Sequence, residues 1–244
     1  MPLERDLVVR YTASAFVDAG SLVGDNRLIR ELGTVLVPIG LSPLPMGFQQ
    51  GAIVGQIPFA GFASVDGLEQ LILTTVRFDF NFLGRGPKSS TTPTWAQHVE
   101  RSAEVLELVL TACGRPSHRL AFISEEIATV ATNEGLDPNA VARLLLRLPP
   151  NVADPLAEWV YKFGVRVPRE GEVINSFAEA GHVHGSMQGS SFEGVRFQMD
   201  ANTTPDDSRA RFGPDAVGRW LNVLMETAAE SLAQIDLMVD RSDD

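Results

Sequence analysis

Gln70-Leu-Ile-Leu-Thr-Thr-Val-Arg-Phe-Asp-Phe-Asn-Phe82 is the stretch whose reading decides the fold class. Ile72, Thr74, Val76, Phe78, Phe80 and Phe82 share one parity; Leu71, Leu73, Thr75, Arg77, Asp79 and Asn81 share the other. Residues two apart on a strand point to the same side, so the pattern predicts one long strand with an aromatic face to bury. Three phenylalanines on one side of a sheet call for a helix above them. The polar loop Gly84–Thr94 follows, and Thr94 with Gln97 forms a capping-box pattern ahead of Trp95, Val99, Ala103, Leu106 and Leu110. That spacing predicts an amphipathic helix to about Cys113.

The second half repeats this order. Val195-Arg-Phe-Gln-Met199 ends another alternating run, a polar loop follows, and a helix starts at Pro214 with Val217, Leu221, Leu224, Ala228, Leu232 and Ile235 on one stripe. Thr-Thr-Pro stands in both loops, at 91–93 and 203–205. The reading is α+β: two pseudo-repeated strand-helix-three-strand-helix units, residues 1–116 and 117–244, forming antiparallel sheet covered by long helices. No linker-like segment separates them, which favours one domain over residues 1–244.

Working outward, Leu7, Val9, Tyr11, Ala13, Ala15 and Val17 predict a strand over 6–17, and Leu22, Leu28, Ile29 and Leu32 a short helix capped at Gly33. Arg119–Ile123 reads as a short strand, then Ile127–Ala131 and Pro138–Leu148 as helices. Trp159 to Val167 alternates as a strand. Glu172 to Met187 reads as a strand interrupted at Ala180-Gly181, with Phe192–Asn202 as its partner.

Composition narrows the function. The net charge is -11, and it is unevenly placed: residues 1–124 hold 11 of the 31 acids and 10 of the 20 bases, leaving 20 and 10 for the remainder. Without a basic run to neutralise phosphates, nucleic acid is an unfavourable partner. No apolar stretch is long enough to span a bilayer, so no membrane partner is expected. A single cysteine, Cys113, at helical spacing from Leu106 and Val109, fits a reducing cytoplasm and a small buried residue.

Few residues carry chemistry. His182 and His184 have the spacing that puts two imidazoles on one strand face, where they could share a metal with Glu179, Glu193 or Asp200 as third donor. Glu125-Glu126 opens a segment read as helical, where acids favour the positive end of the helix dipole. Gly84-Arg-Gly86 lacks the third glycine of a dinucleotide-binding turn, and Ser124 lacks the glycines of a nucleophile elbow. No cofactor is expected. Leu44, Met46 and Phe48, in a proline-rich apolar loop, are candidate partner-binding residues.

Val-Arg-Phe-Asp-Phe-Asn-Phe82, Leu-Ala-Phe-Ile-Ser124 and Phe-Gln-Met-Asp-Ala-Asn202 resemble a sporadically distributed, uncharacterised family of bacterial proteins of similar length. The resemblance implies no activity; it implies a bacterial or phage accessory protein rather than a metabolic enzyme. The expectation is therefore a non-catalytic protein-binding or assembly protein that uses a sheet edge or the apolar 38–62 loop to hold a protein partner or its own copy. The alternative is a metal-dependent or small-molecule enzyme with a His182/His184 site.

Overall fold

The computed structural model describes residues 3–44, 58–148, 158–187, 189–205 and 207–240. Its elements in chain order are β1 (Leu7–Phe16), α1 (Asn26–Leu36), β2 (Ser42–Pro43), β3 (Pro58–Ala63), β4 (Glu69–Thr74), β5 (Arg77–Leu83), α2 (Trp95–Cys113), β6 (Arg119–Thr129), α3 (Pro138–Leu146), β7 (Val160–Arg169), β8 (Glu172–Met187), β9 (Ser190–Thr203) and α4 (Val217–Asp240). The fold is mixed α and β. All nine described strands join one antiparallel sheet in the order β2-β3-β4-β5-β1-β6-β9-β8-β7. None of the described helices is long and apolar enough to cross a membrane.

Pleating sends alternate side chains to opposite sides, and one side of the sheet carries most of the large buried apolar ones. Ala13 and Ala15 of β1, Phe78 and Phe80 of β5, Leu120 and Phe122 of β6, Val195, Phe197 and Met199 of β9 and Ile174 and Ala178 of β8 belong to one buried cluster with Val99, Leu106, Leu221 and Leu224. Helix α2 packs on β1 and β5, and α4 packs on β6, β8, β9 and α2. Gly218 lets the two helices close: a Cβ there would lie 3.2 Å from that of Ala103. The other side of the sheet is polar, with hydrogen bonds from Thr12 to Asn81 (2.8 Å) and from Ser14 to Asp79 (2.6 Å).

Helix α2 starts where its cap predicts. Thr94 Oγ1 accepts from Gln97 N–H at 3.2 Å and the Gln97 side chain accepts from Thr94 N–H at 2.8 Å, so two amides without intrahelical partners are satisfied reciprocally.

Four local expectations are corrected. The run from Gln70 to Phe82 is a hairpin, turned by Thr75-Val76. Thr74 Oγ1 accepts from Arg77 N–H at 3.1 Å and donates to Arg77 O at 2.9 Å, doing the work that Asn-Gly does in commoner turns. Reversal changes parity, so Leu71 and Leu73, opposite Phe80 and Phe78, face the core instead of Ile72. Helix α1 runs through Gly33 to Leu36; the left-handed residue that ends this region is Gly40, after a 3-10 turn. Residues 119–129 are one strand, because Leu120, Phe122 and Ala128 keep one buried parity across Glu125-Glu126. Strand β8 is uninterrupted from Glu172 to Met187; Gly181 leaves room for the Trp159 carbonyl, which a Cβ would approach to 3.1 Å.

Candidate functional site

Glu126 is a buried carboxylate with three polar partners. It follows Phe122 and Ser124 on the core-facing parity of β6 and is buried beside the first turn of α2. Tyr11, paired with Ser124 across β1–β6, reaches the same spot, and the capping box sets Trp95 above it, edge-on to Phe122 at 5.4 Å. Glu126 Oε1 accepts from the Tyr11 hydroxyl and from Trp95 Nε1 at 3.2 Å, and forms an ion pair with Lys88 Nζ at 3.0 Å. Lys88 is held by its own backbone, which donates to Asp6 O at 2.6 Å. Close by, Arg5 pairs with Asp236 of α4 and lies 4.7 Å over the Phe197 ring.

Arg5, Tyr11, Lys88, Trp95 and Glu126 border an open cavity of about 350 Å³, with Thr94 and Leu232 also in its wall. Burial, reinforced by the Glu126 charge and hydrogen bond, pushes the Tyr11 phenol far above its ordinary pKa, so it remains a donor at any working pH. Asp236 is also raised, because burial outweighs the opposing Arg5 charge. Two cations and two carboxylates neutralise each other here. The group therefore clamps β1, β6, the 84–94 loop and both long helices around one point. Sequence reading missed it: Glu126 was placed on a helix, although its parity with Phe122 was the available signal.

The second grouping lies at the far end of the β8–β9 hairpin. The register is unbroken from Ile174↔Thr203 to Met187↔Ser190, so His184 stands directly opposite Glu193 and His182 opposite Val195. The structure brings together His182, His184 and Glu193: the ring centroids are 4.2 Å apart, and His182 Nε2 is 3.0 Å from Glu193 Oε1. One donor atom from each lies within 4.8 Å of the others. The other two candidate donors are elsewhere. Glu179 pairs with Arg196 and Lys162, and Asp200 accepts from Asn202 at 2.9 Å; both belong to the polar side of the sheet.

The candidate partner-binding residues divide. Leu44 is half-buried and its N–H donates to Gly61 O at 2.8 Å, extending the short β2 edge. Met46 and Phe48 lie outside the described residues. At the opposite end of the sheet β7 spans ten residues and pairs only with β8 among the described strands. Val160 (57% exposed) and Val165 (41%) lie on it, and Phe177 (41%) stands on β8 across from Gly164. Cys113 is buried, which pushes its thiol up to about 12 and leaves no thiolate for chemistry.

Compared with protein-family models and with curated proteins, the chain matches none.

Proposed function

We propose that this chain is a non-catalytic protein-binding or assembly protein that receives an extended, acidic segment of a partner along β7. One observation carries the reading: a ten-residue strand at the sheet's end bears exposed valines and, among the described strands, pairs on one side only, which suits the addition of a further strand. The opposite edge, β2, is two residues long, a length that discourages strand addition. Of the three cations on β7, Lys162 pairs with Glu179 of β8 and Arg169 with Glu230 of α4, so Arg166 is the one without an ion pair among the described residues, in a chain of net charge -11. An acidic segment would meet Arg166, whereas a second copy would bring a like charge to the same edge, so the charge favours an acidic partner over self-association.

The reading treats residues 1–244 as a single domain grown from a duplicated unit. Its support is the strand order: β1 lies beside β5 and β6 beside β9, each the last strand of its own meander, and the two first strands meet at the centre.

The test is affinity capture from the native host with the wild-type chain and with Arg166→Glu/Val165→Asp, followed by a binding titration with the purified partner. A partner retained by wild type and weakened at least about tenfold in the variant is expected, since a lost ionic contact and a buried like charge each cost on the order of 1 kcal/mol. Equal binding by both proteins removes β7 from the reading, and a wild-type dimer in light scattering that the variant abolishes redirects it to self-association.

A further inference from the structure

We infer that His182, His184 and Glu193 form a binding site for a first-row divalent cation of the zinc type. The three donors are two imidazoles and a carboxylate, the mixed nitrogen and oxygen set that zinc accepts, and three protein ligands leave one position for water or another small ligand. Backbone placement is fixed before any metal arrives. His184 and Glu193 are direct cross-strand partners, and His182 is two residues along the same face. The backbone is anchored on both sides: His182 N–H donates to Trp159 O at 3.2 Å, and Glu193 O accepts from Val130 N–H at 2.9 Å.

The donor atoms already lie within 4.8 Å of one another. Around a tetrahedral ion with bonds of about 2.0–2.1 Å, donors sit about 3.4 Å apart. Closing the difference requires only side-chain rotation at His184 and Glu193, which are exposed. His182 supplies the rigid corner. Its side chain is 6% exposed, and its Nδ1 is buried with no hydrogen-bond partner among the described residues. A buried nitrogen left unpaired is costly, and an imidazole rarely occupies such a place without a purpose for its ring. The acidic character of the chain adds a general attraction for a dication. An ion here would join β8 to β9 next to their turn, so loading should also stabilise the fold in proportion to metal concentration.

The experiment is titration of the full, chelator-stripped chain with zinc by calorimetry, with cobalt as a spectroscopic substitute whose visible absorption reports coordination by the protein. One ion per chain is expected, with affinity reduced at least about tenfold by His184→Ala and by Glu193→Gln, because removing a ligand costs no less than removing the groups that orient one. Both positions are exposed, so both variants should fold even if His182→Ala does not. His118→Ala, in the connection between α2 and β6, should bind like wild type. Absence of saturable zinc binding, or affinity and cobalt spectrum unchanged in His184→Ala and Glu193→Gln, overturns the site.

Discussion

His98 shows how far burial alone alters a side chain. It lies in α2 stacked on Phe80, with ring centroids 5.7 Å apart and planes 9° from parallel, and has Tyr11 on its other flank. Desolvation disfavours the imidazolium and depresses its pKa to about 3. The folded state therefore binds fewer protons at this residue than the unfolded chain. Its contribution is complete above the unfolded value near 6.5 and is lost as pH falls toward 3, at about 1.4 kcal/mol per pH unit. Urea unfolding of wild type and His98→Leu at pH 7, 5 and 4 should show the variant losing less stability on acidification; parallel losses would contradict the assignment. Glu126 offers the complementary case of a buried acceptor surrounded by donors. Glu126→Ala strands the Tyr11 hydroxyl, the Trp95 indole N–H and Lys88 at once, and should cost about 3 kcal/mol, while Glu126→Gln, which keeps an acceptor, should cost about 1 kcal/mol. Equal urea midpoints for the two variants would argue against the clamp.

At the level of elements, local signals succeeded where the determinants were adjacent in sequence. Thr94 and Gln97 are three residues apart, and they predict the start of α2 because the cap is built from those two side chains. Thr94→Ala should accordingly lower stability by about 1 kcal/mol in chemical denaturation, with Thr94→Ser close to wild type. The same reasoning failed at Thr75-Val76, where no glycine, asparagine or proline marks the turn and apolar residues occupy both parities of β4, so the alternation passes through the reversal unbroken. It failed again on β6. Glu125 is tied to Arg10 and Arg196, and Glu126 to Lys88, Tyr11 and Trp95, partners that only the folded sheet brings near. Two acids in a row look like a helix start when those partners are unknown. The histidine pair was legible because its spacing is local. Glu193 was one of three donors within reach, and only the β8–β9 register selects it.

Across the whole molecule, charge and topology act together. On the proposed reading an acidic segment would meet Arg166 on β7, so the partner affinity expected there should fall as ionic strength rises over the range where the Debye length shrinks from about 10 to 3 Å. The strand order has a kinetic consequence. The two strands at the centre, β1 and β6, belong to different halves, and α1, four strands and α2 intervene between them along the chain. Closing so long a loop is entropically slow, whereas β3–β4–β5 and β7–β8–β9 can zip from local turns. The meanders should therefore form early and the central seam late. Until that seam closes, β1 is itself an open edge of apolar residues, and the most hazardous moment for this protein is the interval in which its eventual interior still resembles a surface.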